Sequence, residues 1–136
     1  MATFPTLCQT VLDTTDVRGL AEFWRELLGW SYRPGDEAPT EGPDEVDWLV
    51  LRNPAGGTQL AFQLTDELTP TTWPDPAVPM QLHLDLTVPD LATLHEQRAR
   101  AEALGATVVL DRTDDDEEPL YVFADLAGHP FCIFVG

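Results

Sequence analysis

The pattern of hydrophobic and polar positions in the first half of the chain predicts the element order β-α-β-β-β. Apolar residues from Val17 to Leu28 recur at helical spacing, with Asp16 as N-cap and Gly29 as C-terminal cap. Short strands are predicted on either side of this helix, over residues 7–13, 30–33, 46–53 and 58–64.

The same order returns after a segment at residues 65–79, whose four prolines predict a linker. A second helix is expected between the N-cap Asp90 and Gly105. Strands are predicted over residues 80–88, 106–112, 120–125 and 130–135. Gln9 and His83 each precede an N-cap aspartate by seven residues. The two halves therefore behave as copies of one structural module.

The stretch MQLHLDLTV at residues 80–88 alternates between two kinds of residue. Its leucines should pack beneath the second helix, because successive side chains of a strand point to opposite faces. The alternate set is polar and consists of Gln81, His83, Asp85 and Thr87. We expect this polar set to face a binding site.

Two motifs, FWRELLGW at residues 23–30 and DLAGHPFCIFV at residues 125–135, occur in this repeated framework. Together they resemble the vicinal oxygen chelate superfamily of glyoxalases, bleomycin resistance proteins and extradiol dioxygenases, in its branch of small glyoxalase-like proteins. The resemblance implies one α+β domain over residues 1–136. Its two βαβββ modules, 1–64 and 80–136, would form a curved, cup-shaped mixed sheet with helices on the outer face. It also implies a homodimer.

In this superfamily a metal is held by His or Gln on the first strand of each module and usually by Glu on the last. The matching first-strand residues here are Gln9 and His83. The last-strand position of the second module holds Cys132. The equivalent position in the first module holds Ala61 or Leu60, and neither of these two side chains can coordinate a metal. Gln9, His83 and Cys132 are therefore the candidate ligands for a divalent Zn, Fe, Mn or Ni ion. The alternative is that the protein has no cofactor, with His83 lining the cup and Cys132 packing in the core.

The candidate ligand-binding set adds acidic and aromatic residues to these positions. It consists of Gln9, Trp48, Phe62, His83, Asp85, Tyr121 and Cys132. Strand alternation does not say whether the aromatic members face the cup or the core beneath the helices.

The charge limits the partners that the protein can bind. Twenty-four acidic residues oppose seven basic ones, and the net charge is −17. Such a surface repels nucleic acid and anionic membranes and attracts cationic ligands. The acidic stretch at residues 113–118 is expected to be a solvated loop. The chain has two cysteines and no CxxC motif, which predicts a cytoplasmic protein with reduced thiols.

Three functions are consistent with this sequence. The first is metal-free binding of a small cationic or aromatic molecule in the cup between the modules. The second is a metal-dependent lyase, isomerase or dioxygenase of the glyoxalase type with a reduced set of ligands. The third is a non-catalytic structural dimer.

Overall fold

The computed structural model describes residues 3–136, which form two compact units divided between Glu67 and Leu68. Each unit has one helix and one four-stranded mixed sheet, so the predicted α+β class with two βαβββ modules is confirmed. The first unit contains β1 (Gln9–Thr14), α1 (Val17–Leu28), β2 (Ser31–Tyr32), β3 (Trp48–Arg52) and β4 (Gln59–Leu64). The second contains β5 (Leu84–Val88), α2 (Leu91–Ala103), β6 (Thr107–Arg112), β7 (Leu120–Ala124) and β8 (Pro130–Val135).

The first unit builds its sheet in the order β1-β4-β3-β2, with β1 parallel to β4. Helix α1 covers one face of this sheet with its apolar side, on which Trp24 is completely buried. The residues that cap the two ends of α1 are those predicted from the sequence. The Asp16 carboxylate accepts a hydrogen bond from the Gly19 amide at 3.0 Å, and Gly29 has the left-handed φ of 68° that ends the helix.

The second unit repeats this plan in the order β5-β8-β7-β6, with β5 parallel to β8. The Asp90 carboxylate caps α2 by accepting a hydrogen bond from the Thr93 amide at 2.7 Å. Leu104 is the C-cap residue, and Gly105 follows it with a φ of 110°. In residues 3–136, neither helix is long and apolar enough to cross a membrane.

Strand β5 is shorter than the sequence predicts, because it begins at Leu84 instead of residue 80. Leu84 pairs with Phe131 on β8, so His83 would come opposite Pro130, which has no amide hydrogen to donate to the ladder. Leu82 therefore lies outside the sheet with 52% of its surface exposed, and the expectation that it packs beneath the helix is wrong. Leu84 and Leu86 are half-buried, and Val88 is buried.

Candidate functional site

The two faces of the second sheet can be assigned from one contact. The Tyr121 hydroxyl on β7 lies 2.8 Å from Nδ1 of His95 on α2, so Tyr121 points towards the helix. Its partner in the ladder, Ile133, shares that face. Because neighbouring residues alternate along a strand, Cys132 points to the opposite face of the sheet, which we call the helix-distal face.

Asp85 shares the helix-distal face with Cys132. These two residues are direct partners in the parallel β5–β8 ladder, so their side chains project side by side from neighbouring strands. His83 lies two residues before Asp85, and its Nε2 atom is 3.2 Å from Oδ1 of Asp85. The pairing of β5 with β8 therefore brings Cys132 next to two side chains, His83 and Asp85, that lie about fifty residues earlier in the sequence.

His83, Asp85 and Cys132 each offer one donor atom, and the three atoms all lie within 4.8 Å of one another. His83 and Asp85 are exposed, and Cys132 is half-buried. In residues 3–136 no other group of three or more His, Cys, Asp or Glu side chains converges in this way. We call these three residues the HDC cluster.

The electrostatic environment of Cys132 is acidic. Burial, together with the charge of Asp85 and a hydrogen bond to that carboxylate, raises the pKa of its thiol to about 11. The more distant charge of Glu118 acts in the same direction. The thiol is therefore protonated at neutral pH, and the cluster carries negative charge that favours a cation.

The donor set of the HDC cluster suits a divalent transition metal. Imidazole nitrogen, carboxylate oxygen and thiolate sulfur are all zinc ligands. Two donors on one tetrahedral ion lie about 3.4–3.7 Å apart, given bond lengths of about 2.1–2.3 Å. The 3.2 Å between His83 and Asp85 is close to this spacing. Three protein ligands would leave a fourth position for a small molecule.

The first unit has a different set of residues at the equivalent positions. The ladder pair that corresponds to Asp85 and Cys132 is Val11 and Ala61, which partner each other in the parallel β1–β4 ladder. Neither side chain can coordinate a metal. Gln9, half-buried at the start of β1, is the amide in this region that the sequence nominates as a ligand.

Two of the aromatic residues predicted to bind ligand lie in the core beneath the helices. Tyr121 is 2% exposed, and its hydroxyl contacts α2. Phe62 has no exposed surface and pairs with Leu12 and Leu49 on the buried side of the first sheet. Neither side chain faces the candidate site, because alternation along the strands turns both away from the helix-distal faces of their sheets.

Trp48 has the opposite orientation. It precedes Leu49, which shares a face with Phe62, so Trp48 points to the helix-distal face of the first sheet. It is half-buried there and pairs with Gln63. Its role in ligand binding stays a prediction.

Glu118 is the residue near the site that the sequence did not single out. It belongs to the acidic stretch 113–118, in which the Asp115 carboxylate accepts hydrogen bonds from the amides of Glu117 and Glu118. Glu118 lies two residues before Leu120, which pairs with Phe134 on β8. No local signal in the sequence places Glu118 near Cys132, because Val122 is the ladder partner of that cysteine.

Comparison with known proteins agrees with this architecture. A sequence model described as a glyoxalase-like domain matches residues 9–134. A search of curated proteins finds no significant match.

Solved structures show the same fold at low sequence identity. A glyoxalase/bleomycin resistance protein/dioxygenase family enzyme from Burkholderia phytofirmans is 15% identical with a TM-score of 0.72, over 96% of this chain and 98% of that one. The fosfomycin resistance protein FosX from Mesorhizobium loti is 15% identical with a TM-score of 0.69, over 98% and 94%.

A FosX mutant from Listeria monocytogenes, complexed with Mn(II) and 1S,2S-dihydroxypropylphosphonic acid, is 16% identical with a TM-score of 0.68, over 100% of this chain and 94% of that one. The family match over most of the chain confirms the resemblance inferred from its motifs. The chain belongs to the glyoxalase-like domain family, within the glyoxalase, bleomycin resistance and dioxygenase group.

Proposed function

We propose that this protein holds a divalent metal ion at the HDC cluster and binds a small molecule with oxygen donors beside it. The observation that carries the proposal is the convergence of His83, Asp85 and Cys132 donor atoms within 4.8 Å. A chance group of surface acids would not combine three ligand types, two of them on paired strands and the third directly before one of those strands. It is the binding part of the second of the three functions that the sequence allows, a metal-dependent lyase, isomerase or dioxygenase of the glyoxalase type.

The chain's own residues have separable tasks in this proposal. His83 and Asp85 are exposed, so they can receive an ion from solvent, while Cys132 anchors the site on the central strand β8. Glu118 adds negative potential without belonging to the cluster. A bound divalent ion supplies polarisation of a carbonyl or similar oxygen of the ligand.

A relative supports the class of ligand. FosX from Listeria monocytogenes, which shares the fold, forms a complex with Mn(II) and a dihydroxypropylphosphonic acid, a small molecule rich in oxygen donors. We extend from this only the combination of a divalent ion with a small oxygen-rich molecule. The phosphonate itself is not proposed, since the chain is only 16% identical to that protein.

The test is metal analysis of the purified protein followed by thermal unfolding with added Zn²⁺, Mn²⁺ or Mg²⁺. A ligand at one hundred times its Kd stabilises the folded state by about 2.7 kcal/mol. For a chain of 136 residues this raises Tm by about 9 °C, from an unfolding entropy of about 2.1 cal/mol/K per residue. His83→Ala should abolish the shift. Asp116→Asn, which removes an exposed acid outside the cluster, should preserve it.

Absence of any shift with all three cations would overturn the proposal. So would an equal shift in the wild type and in His83→Ala, because binding would then occur elsewhere.

A second candidate is the first of the three functions, metal-free binding of a small cationic or aromatic molecule. It is favoured by the net charge of −17 and by the exposed carboxylate of Asp85. Protein treated with a chelator should then bind a flat aromatic cation, and the affinity should fall with salt. Asp85→Asn should weaken this binding, and failure of that variant to do so would exclude Asp85 as the anchor.

We also propose that the protein acts as a homodimer in the cytoplasm. Both points are supported by the sequence resemblance and composition alone. Light scattering at micromolar protein concentration tests the dimer, and a monomeric mass would reject it.

A further inference from the structure

We propose that Cys132 makes the HDC cluster a site for thiophilic divalent cations, of the Zn²⁺, Co²⁺ and Cd²⁺ class, by supplying a sulfur ligand. This inference rests on the proposed function, because it names the class of ion that the same site takes. It concerns a residue at which the superfamily resemblance implies a glutamate. The HDC cluster offers one nitrogen, one oxygen and one sulfur donor.

The register of the sheet fixes the position of Cys132. It lies on β8 between β5 and β7, with Asp85 as its ladder partner on one side and Val122 on the other. Val122 offers no donor atom, so the thiol has its carboxylate partner on the β5 side alone. The sulfur is thereby held next to His83 and Asp85 by the register of two paired strands.

The exposure of Cys132 separates it from the packing residues on the same strand. Phe131 and Ile133, its neighbours in sequence, are fully buried towards α2. Cys132 faces the other way and is half-buried, with its thiol hydrogen-bonded to Asp85. A cysteine that served only to fill the core would be expected among the buried apolar residues.

The three donors of the HDC cluster favour a soft cation over a hard one. Mg²⁺ and Ca²⁺ prefer six or more oxygen ligands, and carboxylate and water also suit Mn²⁺. The HDC cluster offers only one carboxylate, and its thiol is a soft ligand that these ions bind poorly. When a thiophilic ion binds, the thiol gives its proton to the buffer and the thiolate forms the bond to the metal.

The test compares a soft and a hard cation in the intact protein. Affinity for Zn²⁺ exceeds that for Mn²⁺ at most sites, so this preference alone would not identify a sulfur ligand. The informative quantity is the ratio of Cd²⁺ to Mn²⁺ affinity, measured by calorimetry in the wild type and in Cys132→Ser. Serine keeps the size of the side chain and replaces the sulfur with a weakly binding hydroxyl.

We expect the ratio to fall at least tenfold in Cys132→Ser. Cys8→Ser is the matched control, because Cys8 is exposed in the first unit and outside the cluster. The ratio should not change in that variant. Co²⁺-loaded wild type should also show a near-ultraviolet thiolate-to-cobalt charge-transfer band that Cys132→Ser lacks and Cys8→Ser retains.

The outcomes distinguish this inference from the function on which it rests. An unchanged Cd²⁺ to Mn²⁺ ratio in Cys132→Ser, with binding still lost in His83→Ala, would reject the sulfur ligand and leave the metal site standing. Absence of Cd²⁺, Zn²⁺ and Mn²⁺ binding in the wild type would reject both. Should Cys132→Ser fold poorly, Asp85→Asn provides the second test, because it leaves the sulfur in place. It should weaken binding of both ions while preserving the charge-transfer band.

Discussion

Replacing Tyr121 with phenylalanine tests the assignment of this residue to the layer beneath α2. The hydroxyl lies 2.8 Å from Nδ1 of His95 and 3.3 Å from a guanidinium nitrogen of Arg98. Arg98 also lies over the ring, with its Cζ atom 4.9 Å from the centroid. Tyr121→Phe removes the hydroxyl and keeps the ring. It therefore probes the hydrogen bonds without opening a cavity.

The expected loss of stability is about 1 kcal/mol. A typical hydrogen bond contributes about 0.5–1.5 kcal/mol, and the one between Tyr121 and His95 should lie near the middle of this range. His95 is exposed, so it can bond to water in the variant and no buried polar atom is left without a partner. The contact from Arg98 adds little, because its head group is screened by solvent. For 136 residues, 1 kcal/mol corresponds to a fall in Tm of about 3.5 °C.

The assay is urea unfolding of the wild type, Tyr121→Phe, His95→Ala and the double variant. The double-mutant cycle should give a coupling energy of about 1 kcal/mol between the two residues, since they share one hydrogen bond. Cation binding at the HDC cluster should be the same in Tyr121→Phe and the wild type. Unchanged stability together with lost cation binding would refute the assignment of Tyr121 to the helix-facing layer.

Three further predictions address the framework that positions the site. Leu94→Ala, at a position of α2 with no exposed surface, should cost about 2–5 kcal/mol in urea unfolding, and a loss below 1 kcal/mol would contradict its burial. Gly29→Ala should cost about 1 kcal/mol from backbone strain alone, because no atom lies within 4 Å of the added methyl group, and a neutral result would contradict the positive φ. The amide and hydroxyl of Thr93 lower the pKa of Asp90 below its ordinary 3.8. The stability that this carboxylate contributes is therefore present above pH 3.8 and is lost as pH falls through its lower folded value. Asn caps a helix without titrating, so Asp90→Asn should show a shallower loss of stability in this acid range, and identical acid unfolding curves would contradict the shift.

The helices could be predicted from the sequence because their signals are local. The apolar residues of α1 and its caps, Asp16 and Gly29, lie within one short segment, and each reports a contact only a few residues away. The same holds for Asp90 at the start of α2. Their bounds were accordingly predicted to within about two residues, as is usual for helix ends.

The direction in which strand residues face could not be predicted in the same way. Alternation gives two sets of residues but does not say which set meets the helix, so the sequence includes Phe62 and Tyr121 among the ligand-site candidates although both are buried. The late start of β5 also depends on a distant residue, since the register places Pro130 opposite His83, where the ladder would otherwise have begun earlier. These features require the pairing of strands, and one sequence does not contain that information.

The candidate site shows how the two repeated modules can share a fold and differ in chemistry. The first and last strands of each module run parallel, and the ladder pair two residues beyond Gln9 or His83 occupies the same place in both. In the first module this pair is Val11 and Ala61, and in the second it is Asp85 and Cys132. Neither pair is needed for the helix-facing core, because both project from the other side of their sheets. This layer can therefore differ between the modules while their element order stays the same: the potential donors Asp85 and Cys132 lie in the second module, whereas Ala61 is completely buried in the first.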